Sequence, residues 1–226
     1  MFSQSILYED NHLLVVNKPN GLATMGLPEG EETLLTRAKE YIKEKYDKKG
    51  NVYLGIVSRL DVPVSGVVVL ARTSKAADRL NEQFRTHQAE KIYHGIVQGE
   101  IKPAEGECVD WICEDPRHRK VWITRDIKNP DAKEAHLHYR LLKKLSGNSL
   151  LEVQLETGRK HQIRVQLSHL GYPILGDRKY GADPISEGGI GLHARRLSIV
   201  HPTLGTPIVF EAPYPVFWNR FSLKNR

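Results

Sequence analysis

Apolar positions recur with two different periods along this chain, and the switches between them mark its elements. Ile6-Leu7-Tyr8 and Leu13-Leu14-Val15-Val16 flank Glu9-Asp10-Asn11-His12, which predicts a strand pair closed by a turn. Asn17-Lys18-Pro19-Asn20-Gly21 breaks the regularity and puts Lys18 at a strand end. From Thr33 to Tyr46, Leu34, Leu35, Ala38, Tyr41, Ile42 and Tyr46 fall at helical spacing, with Thr33 as cap. Ser74 caps a second expected helix, with Ala77, Leu80, Asn81 and Phe84 on one face, running to about His87.

Between these helices stands Ser58-Arg59-Leu60-Asp61-Val62-Pro63-Val64-Ser65-Gly66, led in by Tyr53–Val57 and out by Val67–Ala71, both strand-like. A cation and a carboxylate in a loop aimed by two strands are a place for chemistry. Taken alone, the nine residues favour a plainer reading, in which Asp61 bonds its own turn and Arg59 pairs with it.

Further along, Lys91–Val97 alternates as a strand, and short strands are expected at Glu107–Ile112 and Lys120–Thr124. Lys133–Leu142 and Leu150–Glu156 make a hairpin around Ser146-Gly147-Asn148. Arg159–Leu170 reads as a helix, with Ile163, Leu167 and Leu170 on one stripe, and His161, Arg164 and Ser168 on another face. Pro173–Asp177 is expected to re-enter the sheet, and Asp183–Gly191 is a Gly-rich loop. Leu192–Val200 and Pro207–Glu211 are the last strands. Hairpins interrupted by a few helices predict an α+β chain with a mainly antiparallel mixed sheet flanked by helices. With no internal repeat or low-complexity linker, residues 1–226 are expected to form one catalytic domain, open to division into two lobes about a central cleft.

Composition narrows the picture. The chain has 226 residues, enough for a sizeable core, and no apolar run approaches a membrane span. The amino terminus lacks a secretion pattern, and two cysteines, Cys108 and Cys113, suit a reducing compartment with both thiols free. A cytoplasmic protein is expected. The formal charge of +6 suits a polyanionic partner. Basic residues gather at Arg117, His118, Arg119, Lys120 and Arg125, at Arg159, Lys160, His161 and Arg164, at Arg178 and Lys179, and at His193, Arg195 and Arg196.

Phosphate-cradling glycine loops and serine-hydrolase elbows are absent from the sequence, which disfavours nucleoside triphosphate and serine-hydrolase chemistry. His136 and His138 flank Leu137 on a strand and so share a face, as two metal ligands would. No carboxylate sits nearby with obvious intent, and exposed strand residues without metal are the expectation. Gly158-Arg159-Lys160-His161-Gln162-Ile163-Arg164 is more specific. It places cations at a helix opening, where amides and dipole already favour anions, a phosphate-gripping arrangement. Arg164, one turn on, points inward, and a buried arginine needs an acidic partner.

Taken in order, these motifs resemble the RluA-type pseudouridine synthases. Arg59-Leu60-Asp61 with Ser65-Gly66, Lys91-Ile92-Tyr93 and Thr157–Arg164 carry the resemblance. Asn17-Lys18-Pro19 with Gly21, Gly176-Asp177 with Tyr180-Gly181, and Leu192-His193-Ala194 with His201-Pro202 support it. The resemblance spans nearly the whole chain and reverses the plainer reading of Asp61.

The resemblance implies the pseudouridine-synthase catalytic fold and an isomerase that converts specific uridines of ribosomal or transfer RNA to pseudouridine. It makes Asp61 the catalytic carboxylate, Tyr93 the ring that stacks on the detached base, and Arg164 the cation paired with Asp61. Arg59 fills the stack vacated by the flipped nucleotide. Arg159, Lys160, His161, Leu192 and His193 contact substrate. The reaction is neither redox nor hydrolysis, so no cofactor and no metal are expected. The partner is RNA, with no membrane, and the protein a monomer. Catalytic-type sequence starts within the first ten residues, so a small amino-terminal RNA-binding module is expected to be absent and RNA to be held by the catalytic unit itself. Ser58, Val64 and Gln166 depart from the family's usual histidine, threonine and histidine, which puts substrate contacts in question. These departures motivate the alternative of a catalytically inactive RNA-binding relative. A nucleoside or glycoside hydrolase, a third reading, commonly uses a second carboxylate, and none lies in the matched motifs.

Overall fold

A computed structural model describes residues 2–28, 30–118, 120–185 and 189–223. Arg119 of the first basic cluster and residues 186–188 of the Gly-rich loop lie outside the described residues. In chain order the strands are β1 (Ile6–Glu9), β2 (Leu13–Lys18), β3 (Gly55–Ile56), β4 (Ser65–Ala71), β5 (Glu90–Gln98), β6 (Glu105–Asp115), β7 (Lys120–Thr124), β8 (Lys133–Leu145), β9 (Asn148–Leu155), β10 (Leu192–Val200) and β11 (Pro207–Glu211). The helices are α1 (Leu34–Lys45), α2 (Ser74–Arg85) and α3 (Gln162–His169). The chain divides into two compact units: residues up to 90 with 194–216, and residues 91–193 with 217–223.

In the first unit β2 runs antiparallel to β4 from Leu13 opposite Ala71 to Lys18 opposite Gly66. All seven residues of β4 are buried, as expected of a central strand covered on both faces. Alternation along β2 and β4 sorts their side chains. Leu13, Val15, Val67 and Val69 pack with Ala76, Ala77 and Leu80 of α2. Leu14, Val16, Val68 and Leu70 pack with Leu34, Ala38 and Ile42 of α1. A helix therefore covers each face. Thr33 caps α1 in a reciprocal box with Thr36. Thr73, one residue before the expected cap, accepts from the Ala76 amide at 3.1 Å and opens α2. Gly66 sits at φ 120°, and a Cβ there would lie 2.2 Å from the Ala194 carbonyl oxygen, so only glycine fits.

In the second unit β5, β9, β8, β6 and β7 lie side by side in that order, every pair antiparallel. The expected strand at 107–112 grows to eleven residues, and Ser146-Gly147 alone turns β8 into β9. Pro173–Asp177 contributes one bridge, Ile174 to Val97, rather than a strand. The Leu175 amide still donates to Ile96 O of β5 at 2.8 Å, but the Asp177 N–H turns back to Ile174 O at 2.9 Å.

The helix expected from Arg159 starts three residues later. The Gln162 side-chain carbonyl accepts from Thr157 Oγ1 at 2.8 Å and from the Arg159 amide at 3.0 Å. His161, at φ 52°, is the residue before the helix. The three basic residues thus form a turn braced by Gln162 rather than a first helical turn. Cys108 and Cys113 are free thiols and buried. No helix among the described residues is long and apolar enough to cross a membrane.

Candidate active site

In the first unit the Asp61 loop is fastened on both sides by residues 18–24. Thr24, itself buried, donates to Leu60 O at 2.9 Å and accepts from the Leu60 amide at 3.2 Å. Val62 O accepts from the Gly21 amide at 2.8 Å, and the Val64 amide closes a turn onto Asp61 O at 3.1 Å. Asp61 therefore sits half-buried between two pinned neighbours, while Arg59 is exposed.

Lys18, at the end of β2, is fully buried. Its ammonium donates to Leu22 O at 2.7 Å, Pro19 O at 2.9 Å and Val62 O at 3.3 Å. A lysine has three N–H donors, and backbone oxygens take all three. Burial lowers its pKa to about 8, and the charge of Asp61 opposes that shift. Lys18 is thus still mostly charged at neutral pH, and acts on Asp61 as a fixed positive charge rather than as a proton donor.

In the second unit Tyr93 stands half-buried on β5 opposite Val153 of β9. Lys91, two residues before it, has its pKa lowered by burial and then by the charge of Arg159. Arg164 is buried as expected, and grips a buried Asp177 with Nε–Oδ2 at 2.7 Å and Nη2–Oδ1 at 2.9 Å. That fork is the strong form of a charge-assisted pair. Its guanidinium also lies 5.0 Å from the centre of the Tyr180 ring. The Tyr180 hydroxyl meets His161 Nδ1 at 2.7 Å and accepts from the Val121 amide at 3.1 Å. Arg159 Nε donates to Glu134 O, and Lys160 Nζ pairs with Glu114 at 3.1 Å. Leu192 and His193 are buried, with the His193 ring edge-on to Trp218 at 5.9 Å.

Two of the departures from the resembled pattern have structural explanations. Gln166 is buried on α3 and donates to Cys108 O, Asp110 Oδ2 and Ala135 O, so it ties the helix to β6 and β8. Val64 is buried at the exit of the Asp61 loop. Nothing in the structure explains Ser58.

Sequence reasoning did not place Lys18, Thr24, Gln162 or Asp177 in a site. Lys18 and Asp177 were visible only as members of Asn17-Lys18-Pro19 and Gly176-Asp177. Another expectation is corrected: carboxylates do lie near His136 and His138. Glu107 and Glu156 both reach them, because three-strand register brings distant residues together.

The sequence matches the family model described as RNA pseudouridylate synthase over residues 12–169. It is 38% identical to the dual-specificity RNA pseudouridine synthase RluA of Escherichia coli, over 92% of each chain. It is 35% identical to ribosomal large subunit pseudouridine synthase D of Xylella fastidiosa, over 93% of this chain and 66% of that one. The chain spans about two thirds of the length of several such relatives, among them a Synechocystis protein of which it covers 67%. In structure it is similar to human RNA pseudouridylate synthase domain containing 4, with a TM-score of 0.81 at 28% identity, over 99% of this chain and 95% of that one. Fold and sequence define an α+β isomerase that acts on RNA. The chain belongs to the RNA pseudouridylate synthase family.

Proposed function

We propose that Asp61 is the carboxylate that drives conversion of uridine to pseudouridine in a ribosomal or transfer RNA. The observation that carries this reading is the pinned loop: Asp61 lies between two residues locked by Thr24 and Gly21, beside the buried charge of Lys18. The glycosidic bond must break, the uracil must turn, and a carbon–carbon bond must form. A fixed carboxylate at the anomeric carbon adds to it or stabilises its developing positive charge. Lys18 places a fixed positive charge beside that carboxylate.

Tyr93 is assigned to stacking on the detached base, and Arg164 to the ion pair that family members hold with the catalytic aspartate. Within the second unit Asp177 holds Arg164 through two of its donors, and guanidinium has five. Arg59, exposed on the same loop as Asp61, is the wedge that replaces the flipped nucleotide. Arg159, Lys160 and His161 are assigned to the RNA backbone, and Leu192 and His193 to substrate binding. The names of the E. coli and Xylella relatives support an RNA target, ribosomal in the second case.

Carbodiimide mapping of RNA treated with the protein tests the assignment. The wild-type protein is expected to leave the carbon-linked isomer at defined uridines and to release no uracil. Binding without isomer would instead support the inactive relative, and free uracil the hydrolase. Arg59→Ala is expected to lower turnover more than RNA affinity, and equal losses would reassign Arg59 to a phosphate contact.

A further inference from the structure

We propose that Glu107, His136 and His138 form a binding site for a divalent transition-metal cation of the zinc class, with Glu156 as the carboxylate that orients both histidines. The site lies wholly within the second unit and does not depend on the assignment of Asp61. His136 and His138 alternate on β8 and so share a face of the sheet. On one side β6 sets Glu107 opposite His138, and on the other β9 sets Gln154 opposite it. Glu156, just past the end of β9, donates its amide to His136 O at 3.2 Å. Two imidazoles are thereby flanked by two carboxylates, with ring centres 4.6 Å apart.

The four ring nitrogens divide cleanly between the two carboxylates. Glu156 takes His136 Nδ1 at 2.6 Å and His138 Nε2 at 2.8 Å, one on each oxygen. A neutral imidazole has one N–H, and these short contacts place it on those nitrogens. The remaining nitrogens then carry lone pairs. His136 Nε2 lies 2.9 Å from Glu107 Oε1, and His138 Nδ1 lies 3.9 Å from Glu107 Oε2. His136 Nε2 is buried and its approach to Glu107 lacks hydrogen-bond geometry. Lone pair facing carboxylate is repulsive without a cation between them.

One donor atom from each of Glu107, His136 and His138 lies within 4.8 Å of the other two. Tetrahedral zinc, with bonds of about 2.0–2.1 Å, needs donors about 3.3 Å apart. The Glu107 side chain is half exposed and so is free to adjust to an ion held by the two histidines. Two imidazole nitrogens and one carboxylate oxygen suit zinc, nickel or copper rather than magnesium or calcium. A carboxylate on the far nitrogen of each ligating histidine is the usual orienting arrangement at such centres. Three protein donors leave a fourth position for water.

The site also has a mechanical consequence. The His136 amide donates to Thr157 Oγ1 at 2.8 Å, and Gln162 Nε2 donates to His136 O at 3.0 Å. A cation held here would fasten β6 and β8 at the base of the turn that carries Arg159, Lys160 and His161.

The test is a zinc titration of the full chain against a chromophoric chelator, repeated with cobalt to read its visible ligand-field bands. One saturable equivalent is expected, with tetrahedral-type cobalt bands and a raised thermal midpoint in zinc. His138→Ala and Glu107→Gln should each weaken zinc binding by at least about tenfold, and Glu156→Gln by about 10–100-fold with shifted cobalt bands. His136→Ala/His138→Ala should keep the metal-free thermal midpoint, which controls for folding, and lose the equivalent. Zinc binding that is equal in the wild-type protein and this double variant would overturn the proposal. So would the absence of any saturable equivalent, which would leave protonation as the way the four groups are reconciled.

Discussion

Each unit buries a cation near its proposed chemistry, and the two do so by opposite means. Lys18 gives its three protons to backbone oxygens, so its charge is compensated by dipoles and remains available to Asp61. Arg164 is locked by side chain to side chain in a fork with Asp177. The first arrangement tunes a neighbour at the cost of a lowered pKa. The second fixes geometry and requires a partner charge to stay in place. Burial alone therefore does not say what a cation is for. The identity of its acceptors does.

Breaking the fork should have the largest effect on stability. Arg164→Met leaves Asp177 buried and uncompensated, and is expected to cost about 3–5 kcal/mol in urea denaturation. Adding Asp177→Leu should recover most of that loss, because a buried pair replaced as a whole is often neutral. If the single and double variants are equally unstable, the fork is not what holds Arg164.

Lys18→Met should behave differently. Pro19 O, Leu22 O and Val62 O each lose a donor, but Val62 O keeps the Gly21 amide. A stability loss of about 1–3 kcal/mol is expected, together with about a hundredfold lower single-turnover rate. The pH dependence sharpens the contrast. Lys18 holds its proton less tightly in the folded protein, about 8 against 10.5. The unfolded chain therefore binds more protons between those values, and stability attributable to Lys18 rises with pH across that window. Activity should fall over the same range as the ammonium is lost. Opposite slopes for rate and stability above pH 8, both absent from Lys18→Met, are the signature to measure.

Thr24→Val is the gentlest probe. It removes both bonds to Leu60, with an expected loss of about 1 kcal/mol, and lets the Asp61 loop drift. A rate reduced about tenfold with unchanged RNA affinity would show that pinning matters to chemistry.

Much of the first unit was legible in the sequence because its signals are local. The apolar run Val67–Ala71 and the helical spacing after Thr33 each announce one element. Asp61 was singled out by an ordered set of motifs rather than by its own surroundings. Lys18 was not, because a strand-end lysine does not reveal that three carbonyls converge on it. The late start of α3 was hidden for a related reason: Gln162 replaces helical bonds with side-chain ones, which periodicity cannot register. The carboxylates around His136 and His138 come from residues 107 and 156, and depend on register across three strands. Sequence proximity says nothing about such a cluster.

The central claim is that Asp61 performs the chemistry while other residues hold the RNA. Single-turnover isomerisation measured beside RNA dissociation constants, for wild type and Asp61→Asn, tests it most directly. The account predicts RNA binding within a few-fold of wild type and a rate reduced more than about 10³-fold. An Asp61→Asn protein that forms pseudouridine at a rate comparable to wild type would contradict it.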